Sequence, residues 1–588
     1  MLNVSRRSFL QLAGLFGTAA AVGYQPSRSA AQGVMAARGT YGVGRALDLT
    51  PEQEASRFLA QATLGANLEM IQEVATMGNE AWLEQQFGLP TSNTLPLVEA
   101  GVVNDPEDPK GLLIPPMQFR WSYWQQVMTG ADVLRHRMGL ALSEIFVIST
   151  RVDELFDLPR GVSSYYDMLL KNGFGNFRDL LFDVTMHPCM GLYLSHVRNR
   201  KSDPSLNRFP DENYAREVMQ LFTIGLFELN QDGTHKVDGN GEPIPTYTNA
   251  EITEFAKVFT GLTYALEDDE EIMDEELFLE AGEVLHKPMV MYEPEHEPGS
   301  KNLLNGFVVP AGQSGMQDIN NAVDNLFNHP NVGPFIGRLL IQRLVKSNPS
   351  PAYISRVAAA FHDNGSGVRG DMKALIKAIL LDSEARDTSH MSDPTHGMLR
   401  EPFVRYVHLC RAFNAASQNG TYRNNGEMAQ EMLQQHPFDS PSVFNFFSPS
   451  YQPLGPIADA GLVAPEFQIT TSYTAISAIN FMNEAIVYEE LMNISNASQE
   501  TCEDAGTECE EPTEADIVYL NLDQEIALAE SDPDALINRL DLILTYGTLS
   551  PQIRTIIQNT INQLDDTYER VTMALYLIMI SPDYAILK

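Results

Sequence analysis

Residues 131–150 read ADVLRHRMGLALSEIFVIST. Apolar side chains recur there at three- and four-residue steps, the spacing that lines one face of an α-helix. The same spacing returns at 165–170, 177–184, 214–226 and 252–259. It continues at 332–345, 352–361, 372–381 and 398–413, and closes the chain at 535–546, 551–564 and 568–580. Alternating strand patterns are scarce. The pattern therefore predicts a mainly α protein, a large multi-helix domain that buries one stripe of each helix against its neighbours. Thr50-Pro51-Glu52-Gln53 is a capping box with proline at the first helical position, so folded structure is expected to begin there. A single β-hairpin is expected at 227–247, where Asp232-Gly233 and Asn240-Gly241 supply turn residues. Register favours turns over a Ca²⁺ loop there: with Gly233 at the sixth position, Gly239 falls where a bidentate glutamate must stand. Two acidic inserts, 264–300 and 495–513, read as surface segments.

The 588 residues carry 39 basic and 77 acidic side chains, a net charge of −38. Such a surface repels phosphate backbones, which argues against nucleic acid as a partner. The first residues are an address: Ser5-Arg6-Arg7-Ser8-Phe9-Leu10 is a twin-arginine pattern. A glycine-diluted apolar run follows, then a small-residue cleavage site at Ser29-Ala30-Ala31. Residues 1–31 are thus expected to be an export signal, 32–48 a linker and 49–588 one helical domain. A periplasmic or secreted location follows, with no membrane span once the signal is removed. Cys502 and Cys509 lie in a short acidic loop, where an oxidising compartment favours a disulfide over a metal clip. Cys189 and Cys410 sit in apolar helical contexts and read as buried thiols.

Ionisable side chains are densest between His187 and Leu226 (HPCMGLYLSHVRNRKSDPSLNRFPDENYAREVMQLFTIGL). Polar groups beside a helix core cost free energy unless paired or used. On a helix, Glu212 and Arg216 pair four residues apart, and Glu217 stands beside apolar neighbours. Two readings are open. In one, Glu217 locks helices together through Arg198, Arg200 or Arg208. In the other, Glu212 and Glu217 work as general acid and base with His196, while Arg198, Arg200 and Lys201 hold an anionic group. His187, Glu217 and His296 are the candidate ligands for a divalent metal. The aromatic run 441–447 (PSVFNFF) reads as packing under a loop or as a stacking surface for a ligand. Asp371, after a glycine-rich stretch, reads as a helix cap. No GxSxG elbow, phosphate loop, dinucleotide fingerprint or haem motif is present.

Segments along nearly the whole chain resemble a bacterial family of twin-arginine-exported proteins known as "domain of unknown function eighteen-hundred". They include RFLAQATLG (57–65), RHRMGLALSEIFVIS (135–149), HPCMGLYLSHVRNRK (187–201) and PDENYAREVMQLFTIGL (210–226). Others are 329–361, VRGDMKALIKAILLDSEAR (368–386), LREPF (399–403), PSVFNFFSPSY (441–451) and APEFQI (464–469). HEPGSK (296–301) is similar to a His-carboxylate-x-Gly-x-Lys motif of that family, with Pro298 added. The resemblance implies an exported, mainly helical protein whose gene stands beside one for a sulfatase- or phosphatase-like exported protein. It carries over no catalytic residue. The expected function is a hydrolase-type enzyme, with metal assistance as one option, acting on an extracellular polymer or ester. The alternative is a non-catalytic scaffold or partner for the co-exported hydrolase.

Overall fold

A computed structural model describes residues 46–101, 117–280, 282, 284–422, 429–488, 491 and 514–588. The insert at 495–513, with Cys502 and Cys509, and the expected export signal at 1–31 lie outside the described residues. The fold is mainly helical, with three two-stranded antiparallel pairs: Leu262–Thr263 with Val290–Met291, Lys301–Asn302 with Val308–Val309, and Met398–Leu399 with Ile586–Leu587. Among the described residues, no helix is long and apolar enough to cross a membrane. The chain divides into two units. The smaller one includes the turn Thr388–Ser392, where Thr388 Oγ1 donates to the Leu47 carbonyl at 2.8 Å. The larger one, 48–387 with 395–588, holds everything that follows.

Local signals set many helix starts. Thr50 Oγ1 accepts from Gln53 N while Gln53 Oε1 accepts from Thr50 N, closing the capping box on the helix Pro51–Ala62. Asp371 accepts from Lys373 N and Ala374 N and starts Met372–Leu380. The hairpin region is a small three-segment ladder. Glu228 N bonds Ile244 O, Lys236 N bonds Glu228 O, and Ile244 N bonds Lys236 O. Its turns fall at Gly233 and Gly241, both in the left-handed region that only glycine enters without strain. Asp232 and Asp238 are spent inside those turns, each accepting backbone N–H groups.

Two differences from the sequence reading matter. The helix expected over 131–150 is Val133–Ser143, and the five residues after it are buried non-helical chain. The insert 264–300 is only partly a surface segment. Phe278, Val284, Leu285 and Met289 are buried, and Val290–Met291 pairs with the chain at Leu262. Charge content marked its exposed half, and apolar anchors scattered between carboxylates drew the rest inward. An aromatic block (Tyr123, Trp124, Tyr166, Phe403 and Phe438) fills the middle of the large unit, with Tyr123 and Tyr166 5.2 Å apart and Trp124 and Phe403 5.5 Å apart.

Candidate active site

The ionisable residues of 187–226 are dispersed into structural contacts. Glu212 and Glu217 lie five residues apart on one helical stretch and so point about 140° away from each other. Glu212 pairs with Arg216 at 3.4 Å and accepts from Thr253 Oγ1 at 2.8 Å. Glu217 is buried, and its Oε2 has no hydrogen-bond partner among the described residues. Burial raises its pKa, with Arg216 opposing. The expected lock with Arg198, Arg200 or Arg208 does not form among the described residues. Arg200 pairs with Glu275 and, at 2.7 Å, with Glu295; Arg208 reaches Glu295 at 3.6 Å; Arg198 stacks over Tyr264. Lys201 Nζ donates to Pro294 O at 2.5 Å. The basic island therefore clamps the 264–300 insert. Arg200 and Arg208 meet carboxylates there, Lys201 a carbonyl and Arg198 an aromatic face, so the island's described contacts are structural ones.

His196 is buried and stacked on Tyr214 with 3.9 Å between ring centroids, and its Nε2 donates to Thr185 O at 2.9 Å. Burial holds its pKa down at about 4, so it stays a neutral core residue. His187 caps the helix Pro188–Tyr193: Nδ1 accepts from Cys189 N at 3.3 Å, and Nε2 contacts Ser164 Oγ at 3.0 Å. His296 contacts Thr260 O at 2.9 Å through Nδ1 and Asp318 Oδ2 at 3.0 Å through Nε2. Lys301 also bonds Asp318, so the two ends of HEPGSK converge on one buried carboxylate. Burial alone would raise the Asp318 pKa; hydrogen bonds from His296, Lys301 and Gln313 outweigh it and lower it. Both nitrogens of His187 and His296 are engaged. Among the described residues no group of three or more His, Cys, Asp or Glu could hold a metal ion. His187, Glu217 and His296 thus do not form the expected metal site. Cys189 and Cys410 are free and buried, as expected.

The structure instead brings together ionisable groups that are far apart in sequence. Two helices end facing each other, and each is capped by an arginine of the other. Arg343 Nη2, near the end of Val332–Leu344, donates to Glu144 O at 2.9 Å, just past the end of Val133–Ser143. Arg137 Nη2 donates to Arg343 O in return. Helix ends leave carbonyls without intrahelical partners, and buried guanidinium groups satisfy them here. This capping holds the Glu144 carboxyl 3.3 Å from Arg343 Nε. Glu401 arrives from the start of the helix Pro402–Ala412. Its carboxyl does not cap that helix but turns inward, and Oε2 accepts from Gln435 Nε2 at 2.5 Å. Glu466, on the turn Pro465–Gln468, completes the cluster, and all five charged side chains are buried.

Electrostatics divides the carboxyls. Burial pushes the Glu144 pKa well above its ordinary value, and the nearby Glu401 carboxyl pushes the same way. Glu144 is therefore held in its protonated form near neutral pH, beside the Glu401 carboxyl. Burial raises Glu466 to about 8. The loop that packs on this cluster is strained: Gln434, Phe438 and Asn445 are all left-handed, with φ of 56°, 59° and 65°. Each such residue costs about 1–3 kcal/mol and persists only where packing over-determines it. The loop bonds the cluster through Gln435 and Glu401, and is held to the chain just after Glu144 where Thr150 N and Oγ1 both donate to Phe438 O and Ser149 Oγ donates to Ser440 O.

Glu144 and Arg343 form the floor of an open cleft of about 430 Å³. Its walls are Ile224–Phe227 and Leu229 at the base of the hairpin ladder, Pro334, Phe335, Arg338 and Leu339 from the helix carrying Arg343, and Val443, Phe444 and Phe447. Gln220, His235, Ser448 and Ser450 add polar edges. The aromatic run 441–447 thus does both things the sequence allowed, since Phe447 is buried while Phe444 is half exposed beside the cleft.

The chain matches, over residues 57–586, the family described as "Protein of unknown function (DUF1800)". It is a member of that family. No curated protein and no solved structure matches it. Segments by which the chain resembles the DUF1800 family (135–149, 329–361, 399–403, 441–451 and 464–469) are those that meet at this cleft and the cluster beneath it. Segment 210–226 contributes too, through Gln220 to Leu226 at its end.

Sequence reasoning passed over Arg137, Glu144, Arg343, Glu401 and Glu466. One signal was there. Arg137 and Glu144 are seven apart, two helical turns, in a run with Leu140, Ala141, Leu142, Ile145 and Phe146 and no exposed face to receive them.

Proposed function

We propose that this DUF1800 member is an exported hydrolase-type enzyme whose acid–base chemistry lies on the Glu144–Glu401 pair, acting on an ester or polymer linkage held in the cleft. The twin-arginine pattern supports export to the periplasm or beyond. One observation carries the catalytic assignment: a buried Glu144 carboxyl, kept protonated beside Glu401, that lines the roughly 430 Å³ cleft. A carboxyl kept protonated beside a second carboxyl can serve as acid while its neighbour serves as base. For an ester, the ionised carboxylate takes a proton from water as its oxygen adds to the carbonyl carbon. The protonated partner gives its proton to the departing alkoxide. Ester and water become acid and alcohol, and the pair again holds one proton. Arg343 beside Glu144 offers a positive charge where negative charge develops.

The test is turnover of a panel of 4-nitrophenyl esters and of soluble acidic polysaccharides by the mature chain, with Glu144→Gln beside it. The variant keeps size and hydrogen bonding. Turnover is expected to fall by about 10²–10⁴-fold with the thermal midpoint little changed. A wild-type chain inert to every ester and glycan, or a fully active Glu144→Gln, would refute the assignment. The scaffold reading draws on a different observation: Tyr473, Ile476 and Ile479 are exposed along the helix Ser472–Val487, a surface suited to a co-exported partner. It expects no turnover, and a loss of stability as the main effect at Glu144.

A further inference from the structure

We infer that the cleft recognises an oxyanion carried on a flat apolar body, with Arg338 as the residue that binds the charge. The inference deepens the proposed function by naming its ligand class, and rests on that reading only in placing the anion beside the Glu144–Glu401 pair.

Arg338 is an exception to how this chain treats its arginines. With 77 acidic side chains available, guanidinium groups elsewhere pair with carboxylates, as Arg356 does with Asp382 and Arg539 with Glu525, or donate to backbone carbonyls, as Arg369 does to Phe327 O and His329 O. The guanidinium of Arg338 has no ion pair and no hydrogen bond among the described residues. Burial is the sole cause acting on its pKa, which it lowers, so no nearby carboxylate compensates the charge. Holding a cation in that state costs free energy, and the cost is recovered when an anion arrives. Its position is set by the helix. Pro334, Phe335, Arg338 and Leu339 fall one and four residues apart and share the cleft-facing side of Val332–Leu344.

The surroundings define the rest of the ligand. Phe227, Phe335, Phe444 and Phe447, with Ile224 and Leu339, give the walls an aromatic and aliphatic surface suited to a ring. The volume falls in the range of small-molecule sites, roughly 300–1,000 Å³. Beneath the cleft the charge balance is also positive. Burial keeps the Glu144 and Glu466 carboxyls protonated near neutral pH, so neither offsets the charge of Arg137 and Arg343. A guanidinium offers a planar fork that takes carboxylate, sulfate or phosphate oxygens two at a time, so the anion's chemistry is shared by all three.

The experiment is calorimetric titration of the mature full-length chain with 2-naphthalenesulfonate and with its neutral counterpart 2-naphthylmethanol. Wild type is expected to bind the sulfonate at least about tenfold more tightly, the effect of a charged hydrogen-bonded contact. Arg338→Gln should lower sulfonate affinity by about 10–100-fold and leave the neutral compound within about twofold. Arg338→Lys, which keeps the charge and loses the fork, should fall between. Equal affinity of wild type for the two compounds, failure to bind the sulfonate, or a preference that survives Arg338→Gln would each overturn the inference. Arg338 lies partly exposed at a cleft wall, and a thermal melt on each variant confirms that the comparison is between folded proteins. Sulfonate binding through Arg338 in a chain that hydrolyses nothing removes the hydrolytic reading and leaves this one standing. Ester turnover indifferent to ligand charge and to Arg338 does the reverse.

Discussion

Replacing Glu466 with glutamine removes a proton-binding group from the cluster while keeping its shape. The ordinary value of this carboxyl is 4.5 and burial lifts it to about 8 in the folded chain. Between those values the folded protein holds a proton that the unfolded chain has released. Stability from this group is therefore full below pH 4.5, declines as pH rises, and is lost once pH passes about 8. A tenfold difference in proton affinity between the folded and unfolded chain is worth about 1.4 kcal/mol. The whole window is then worth about 5 kcal/mol, of which about 4 kcal/mol falls between about pH 5 and about pH 9. Glu466→Gln should carry none of it. Urea unfolding, followed by the fluorescence of Trp82, Trp121 and Trp124 at both pH values, gives the difference between wild type and variant at each. The variant should gain on wild type by several kcal/mol as pH rises. Parallel pH dependences would mean that Glu466 is ionised in the fold, and the charge balance drawn for the cleft floor would fail with it.

The buried histidines work in the opposite direction. Burial depresses His196 to about 4, so its stabilising neutral form is fully present above about pH 6.5 and is lost as pH falls toward 4; His196→Gln, which can still donate to Thr185 O, should flatten that acid limb by about 3 kcal/mol in the same unfolding assay. A full acid limb in the variant would place the titration elsewhere. Arg200→Met releases Glu275 and Glu295 from a partly exposed clamp. It should cost only about 1 kcal/mol but speed proteolytic cutting within 264–300, seen as an early fragment by mass spectrometry; unchanged cutting would show that the apolar anchors of the insert suffice.

Much of the architecture could be read from local pattern. Apolar spacing located the helices, and Thr50, Asp371 and the turn glycines marked where segments begin and reverse, because capping and left-handed turns depend on a few neighbouring residues. The candidate site was legible only in part. The dense polar segment 187–226 drew attention, yet its charges other than Glu217 proved to be engaged by partners such as Glu275, Glu295 and Thr185, which no spacing rule connects to them. Whether a charged group is spent or free depends on what stands opposite, and that is a property of packing.

Sequence alone therefore determined the helical class, the acidic surface, the export signature as an expectation, and the family. Tertiary structure decided which charges share a burial site. Arg137 and Glu144 look like interruptions of an apolar helix, and Glu401 looks like a helix cap. Only when helix ends 199 residues apart are set face to face do their unpaired carbonyls draw in Arg343 and Arg137, bringing Glu144 against Glu401. The same packing leaves Arg338 on a cleft wall without a carboxylate. The reason is that burial and proximity set both the cost of a charge and its pKa, and neither is defined until the chain has folded.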